Sequence, residues 1–186
     1  RKPKNIIKYN KVLKSLLEGC RSLEKSGCKF IVIPCNTAHY WYKDLQKKIK
    51  IPIVNMPKEV FLYTKKRCKK KSKIGLLATE GTLKTKIYDK LFNNDYELIK
   101  PLTNLQIKSV NKTIKYVKMG NIKLAAKSIK PAINYLIKSK CKKIILGCTE
   151  LPIAIFAFKS LNNAKVSKLY LDPNLILALS AMNKYK

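Results

Sequence analysis

Histidine and arginine are almost missing from this chain. One histidine, His39, and three arginines, Arg1, Arg21 and Arg67, stand among 186 residues. Six cysteines are present, but none are paired as CxxC, and with a single histidine a zinc site is poorly supported. The formal charge of +31 is nearly all lysine, spread over most expected helices and strand edges and clustered only around Lys69-Lys70-Lys71. Lysine, asparagine and isoleucine are abundant together, as an AT-rich coding bias would produce. The charge therefore reads as a solvated surface with weak, salt-dependent polyanion binding, and no specific nucleic-acid partner is expected. No apolar run approaches the length of a membrane span, and no signal-peptide pattern opens the stretch. No membrane partner is expected; the expectation is a cytoplasmic protein with free thiols. Gly/Ser-rich and low-complexity segments are absent, so nothing reads as a flexible spacer.

What is present is globular sequence, 46% apolar, long enough for one medium domain or two small ones. Strand-like and helix-like segments alternate. Ile6, Ile7, Val12, Leu13, Leu16, Leu17, Cys20 and Leu23 fall at helical spacing, and Gly27 is placed to end that helix. Short apolar runs at Phe30–Ile33, Ile51–Asn55, Ile74–Ala78, Tyr96–Ile99, Lys143–Gly147 and Lys168–Leu171 read as strands. The helices between them include one begun by Pro57 and one over Ile122–Ile137 that Pro131 should break or kink. Asp172 is the expected N-cap of the last helix. This alternation predicts an α/β fold with parallel sheets flanked by helices. The basic Lys65–Lys73 stretch is the expected linker, with residues 1–68 plus 165–186 in a first lobe and 69–164 in a second.

Two stretches carry the chemistry. Phe30-Ile31-Val32-Ile33-Pro34-Cys35-Asn36-Thr37 runs from a buried strand into a cysteine, two small polar residues and a helix. Lys143-Ile144-Ile145-Leu146-Gly147-Cys148-Thr149-Glu150 repeats the pattern. Ligands bind where parallel strands end, and a helix N-terminus there favours a thiolate. Two such units suggest a cleft between pseudo-symmetric lobes with one thiol on each side. One thiolate removes a proton from a carbon acid while the other thiol returns one on the opposite face, which is racemisation. That requires one cysteine ionised and one protonated at the same pH. Asn36, Thr37 and Thr149 are the expected donors to the substrate carboxylate. His39 reads first as a structural residue, with assistance to a thiol left open. Glu150 either caps its helix or meets a substrate ammonium. Cys20, Cys28, Cys68 and Cys141 read as structural.

Pro34-Cys35-Asn36-Thr37-Ala38-His39 and Gly147-Cys148-Thr149-Glu150 resemble the two signature motifs of the aspartate/glutamate racemase superfamily. The Glu after the second Cys-Thr resembles its aspartate racemase branch. Leu77-Ala78-Thr79-Glu80-Gly81-Thr82 resembles the middle loop, implying Thr82 as a substrate contact. Tyr116-Val117-Lys118-Met119-Gly120 resembles the stretch whose lysine, here Lys118, meets the substrate's side-chain carboxylate. The resemblance implies a cofactor-independent enzyme of two α/β lobes, a homodimer, with Cys35 and Cys148 catalytic and a small acidic amino acid as substrate. It also implies a strand and a Gly-rich loop ahead of Arg1, so the chain is expected to be truncated, with Arg1 in the place of a substrate-binding arginine. Maleate isomerase, hydantoin racemase or arylmalonate decarboxylase chemistry, and a non-catalytic remnant, are the alternatives.

Overall fold

A computed structural model describes residues 6–162 and 168–184. Helix α1, Ile6–Lys25, leads into strand β1, Ile31–Val32, a short 3₁₀ helix at Thr37–Trp41, and α2, Tyr42–Gln46. Strand β2, Ile53–Val54, and α3, Met56–Lys65, complete the first part of the chain. Next come β3, Lys73–Ala78, α4, Glu80–Thr85, α5, Asp89–Phe92, and β4, Glu97–Ile99. One helical run then holds α6, Thr103–Leu105, a π-helical segment Gln106–Asn111, and α7, Lys112–Lys118. It is followed by α8, Ile122–Lys138, β5, Lys143–Gly147, α9, Glu150–Asn162, β6, Tyr170–Leu171, and α10, Pro173–Lys184.

All strand pairings are parallel. A small sheet pairs β1 with β2, and a larger one has the order β4-β3-β5-β6. The α/β architecture expected from the sequence is therefore present. In the larger sheet both faces are covered, which is why β3 and β5 read as unbroken apolar runs. Ile74, Leu76 and Ala78 of β3 and Ile145 of β5 pack on one face with Val60, Tyr88, Phe92 and Ile176. Leu77, Ile144 and Leu146 pack on the other against Ile114, Ile129, Ile133 and Leu136. The small sheet places Ile31 and Ile53 against Leu45, Ile49 and Cys20. Strand β6 extends the larger sheet, while α10 sends Ile176 to that sheet and Leu177 to Val54 and Met56 beside the small one.

Gly27 and Gly120 follow α1 and α7 with φ of +81° and +74°, the left-handed backbone that glycine adopts without strain. Two local expectations need correction. The segment after Cys35 is a 3₁₀ helix before it becomes α-helical. Helix α8 runs through Pro131, so of the expected break or kink the break does not occur. The π-helical segment meets the helix at this point. Ser109 Oγ accepts from Ala132 N at 3.3 Å and donates to Ser128 O at 2.6 Å, so one hydroxyl fills the gap in the ladder next to the proline.

Candidate active site

The two strand–cysteine units repeat at atomic detail. Cys35 N donates to Ile33 O, and Cys148 N donates to Leu146 O, each at 2.8 Å and each spanning two residues. Both strands therefore end in a γ-type turn that swings the cysteine off the sheet. A three-residue bond follows in each unit, offset by one position: His39 N to Asn36 O, one residue past Cys35, and Leu151 N to the carbonyl of Cys148 itself, both 3.1 Å. Gly147 permits this at β5, because a Cβ there would lie 3.0 Å from the Ala78 Cβ and 3.2 Å from Leu77 O.

Hydroxyls join the two ends. Thr37 Oγ1 lies 2.8 Å from Thr82 Oγ1 and 3.2 Å from Thr79 Oγ1, and Thr79 donates to Thr82 at 3.1 Å. Three hydroxyls in a triangle can each donate once and accept once, so the ring saturates its own protons. Gly81 leaves room for it, with Thr37 Cγ2 only 3.3 Å from where a Cβ would sit. Thr79 directly follows Ala78, whose strand partner is Gly147, the residue before Cys148. The Cys35 turn is thus docked at the carboxyl edge of the strands that carry Cys148. In this structure the Thr37 and Thr82 hydroxyls, expected to meet substrate, bond to each other and to Thr79.

The two thiols differ. Cys35 is exposed, whereas Cys148 is buried. Cys148 Sγ and Thr149 Oγ1 both donate to Glu150 Oε2 at 2.8 Å, and Lys118 Nζ lies 3.5 Å from Glu150 Oε1. Burial first, then the hydrogen bond to the carboxylate, push the Cys148 thiol up to about 12. The expectation that its helix start would favour a thiolate is therefore overturned: desolvation and Glu150 outweigh the α9 N-terminus. Burial alone would raise the Glu150 carboxyl. The donors Cys148 and Thr149, its own backbone N–H and the Lys118 charge bring it below its ordinary value instead. Glu150 neither simply caps α9 nor stands free; it collects Cys148, Thr149 and Lys118 into one cluster.

On the Cys35 side, Asn36 is buried and its Oδ1 accepts from Tyr88 Oη at 2.6 Å. His39 is buried too. Met56 N donates to its Nε2 at 3.1 Å, so Nδ1 carries the proton and donates to Cys35 O at 2.9 Å. Desolvation lowers its pKa, against the Cys35 and Val54 carbonyls, which would favour the charged form. A neutral imidazole with both nitrogens spent on backbone is a brace between the ends of β1 and β2. Arg1 lies outside the described residues.

Sequence reasoning missed three contributors. Thr79 completes the hydroxyl ring, Tyr88 reaches Asn36 from 52 positions away, and buried Gln106 donates to Ala78 O at 2.9 Å and to Asn111 Oδ1 at 2.8 Å. Thr79 sits in a quoted motif, but Tyr88 and Gln106 carry no local signal. Among the described residues no three His, Cys, Asp or Glu side chains gather as a metal-ligand cluster, and no helix is long and apolar enough to cross a membrane. A groove of about 400 Å³ between α9 and α10, lined mostly by apolar residues such as Phe156, Leu175 and Leu179, includes neither Cys35 nor Cys148.

Residues 4–181 match the family described as Asp/Glu/Hydantoin racemase. The broad specificity amino-acid racemase RacX of Bacillus subtilis is 28% identical over 145 residues, 78% of this chain and 62% of RacX. A glutamate racemase of Lysinibacillus sphaericus is 31% identical over 136 residues, 72% of this chain and 49% of its own length. Among solved structures, Picrophilus torridus aspartate racemase superposes with a TM-score of 0.75 at 26% identity, covering 92% of this chain and 68% of that one. A putative Asp/Glu racemase from Yersinia pestis shares the fold, with a TM-score of 0.77 at 24% identity over 95% of this chain and 74% of that one. The chain therefore spans 62% of one of these two curated relatives and 49% of the other. On the match across residues 4–181, with both strand–cysteine units inside it, the chain belongs to the Asp/Glu/Hydantoin racemase family.

Proposed function

We propose that this chain carries the thiol pair of a cofactor-independent racemase for a small acidic amino acid, aspartate before glutamate. The observation that carries the reading is one turn geometry at two strand ends with opposite surroundings: an exposed cysteine and a buried one whose thiol bonds to a carboxylate. Two-base racemisation needs that inequality. Cys35 as thiolate takes the α-proton and becomes a thiol, leaving the electron pair delocalised into the substrate carboxylate. The Cys148 thiol gives its proton to the other face and becomes a thiolate; the reverse reaction exchanges the roles. Lys118 acts on Cys148 in the direction that favours ionisation, offsetting part of the Glu150 charge. Asn36 and the backbone N–H groups near both turns are the donors for the carboxylate. The Lys118 ammonium, two-thirds exposed, and the excess of positive charge favour a dicarboxylate over a neutral amino acid. The name of the Picrophilus relative favours aspartate.

The test is chiral chromatography of L- and D-aspartate and L- and D-glutamate incubated with wild type, Cys35→Ala and Cys148→Ala. Racemisation lost in both directions in each variant, with aspartate binding kept, is the expected result; a variant that still racemises freely refutes the thiol pair. A one-thiol superfamily reaction is the second reading, favoured by the deep protonation of Cys148. It predicts that only Cys35→Ala is inactive.

A further inference from the structure

Tyr88 has no part in the chemistry above, yet it is a buried group that touches the Cys35 turn from the other half of the molecule. It lies between α4 and α5, 1% exposed, its ring 6.0 Å from that of Phe92. Its hydroxyl donates to Asn36 Oδ1 at 2.6 Å. Asn36 is itself 4% exposed, and its Nδ2 is buried with no hydrogen-bond partner among the described residues.

These two facts explain one another. The two ends of an asparagine amide have nearly the same shape, and half a turn about the last bond exchanges them. A phenol that donates must meet the oxygen end. Tyr88 therefore decides that nitrogen, with two donors, is the end left without a protein acceptor. A buried amide donor without an acceptor is a standing cost to the fold and calls for an explanation. The neighbouring residue, Cys35, is the exposed cysteine, so a ligand reaching Cys35 is one residue from the waiting amide. Burial, and then the carboxylate of Asp172, keep the phenol far above its ordinary value, so the donor is never lost by ionisation in the working range.

We infer that Tyr88 is a positioning residue for the carboxylate site beside Cys35: its hydroxyl holds Asn36 Oδ1, which leaves Nδ2, not the oxygen, to donate to an anionic oxygen of the substrate. The inference rests on the racemase reading and adds a contact made by a side chain from the opposite lobe.

The test compares wild type, Tyr88→Phe, Asn36→Ala and the double variant. Phenylalanine keeps the buried ring and removes only the hydroxyl. Tyr88→Phe should raise KM for aspartate about tenfold while kcat stays within about twofold. In the Asn36→Ala background the same change should add nothing, because the amide it acts through is gone. A purely structural tyrosine would instead lower thermal stability and change KM additively, which would overturn the inference. A second readout needs no turnover. The Asn36 side-chain amide signals in ¹H–¹⁵N spectra should shift when L-aspartate is added to wild type, and should move in ligand-free Tyr88→Phe. Signals unmoved by aspartate that binds, or identical in ligand-free wild type and Tyr88→Phe, overturn the inference alone. Wild type that binds no aspartate overturns the racemase reading, and the inference falls with it.

Discussion

The Cys148 thiol donates to Glu150 Oε2 at 2.8 Å, so the carboxylate two residues on holds the buried sulfur in its protonated form. Of the causes that raise this thiol to about 12, burial is larger than the Glu150 bond, and Lys118 works against both. Glu150→Gln should therefore lower the value only in part and raise the thiolate fraction, with burial still holding the thiol above its ordinary value. Lys118→Met should move it up. Thiolate absorbance against pH, with Cys148→Ala as the blank, checks both signs.

Alkylation should discriminate among the cysteines. Cys35 is exposed, Cys28 and Cys68 are half-buried, and Cys20, Cys141 and Cys148 are buried. Burial pushes Cys141 up to about 11. Iodoacetamide near neutral pH should label Cys35 first and Cys148 among the last, since the thiolate is the reacting form. Peptide mass mapping over time gives the order. Cys148 labelled ahead of Cys35 would contradict the assigned environments.

Stability should depend on pH with two opposite signs. The folded value of Cys148, about 12, exceeds its ordinary 9.0, so the stabilisation is complete below about pH 9 and disappears as pH rises through 12. Its full size is about 4 kcal/mol. Cys141, at about 11, and Tyr170, at about 12, act in the same direction, so Cys148→Ala should remove part of the alkaline slope. Glu150 is lowered, so its contribution is present above its ordinary 4.5 and is lost as pH falls below that. Urea midpoints across the pH range check both limbs.

Ser109 closes the ladder beside Pro131, which gives a stability prediction far from the thiols. Ser109→Ala removes the hydroxyl that bridges Ala132 N and Ser128 O inside the protein and should cost about 1–3 kcal/mol. Adding Pro131→Ala should recover part of the loss, because without the proline ring the turn can close and Ala132 N can bond Ser128 O directly. Thermal melts of the single and double variants test the coupling.

Several of these features were legible in the sequence and several were not, for one physical reason. Strand endings, the γ-turn cysteines and the apolar runs of β3 and β5 are local: period, burial and turn chemistry are set by neighbours in the chain. The Cys148-Thr149-Glu150 cluster is local as well, although its effect on the thiol is opposite to that of a bare helix start, because burial is a tertiary property. Tyr88 on Asn36, Gln106 on Ala78 and Ser109 on Ala132 join residues 52, 28 and 23 positions apart. No motif announces such contacts. Thr37 reads as a donor to the substrate carboxylate and the resemblance implies Thr82 as a substrate contact, yet their bond to each other appears only once the two sheets are docked. Lys118 was likewise singled out for substrate, and its pairing with Glu150 comes from the packing of α7 near the start of α9.

In the proposed reaction Cys35 and Cys148 serve opposite faces of one α-carbon. The most direct test is ¹H NMR of L- and D-aspartate in deuterated water with wild type, Cys35→Ala and Cys148→Ala. Wild type should exchange the α-proton of both enantiomers and interconvert them. Each variant should lose interconversion, and any remaining exchange should be confined to one enantiomer, opposite in the two variants. Exchange of the same enantiomer in both variants, or racemisation surviving in Cys148→Ala, would contradict the two-thiol account.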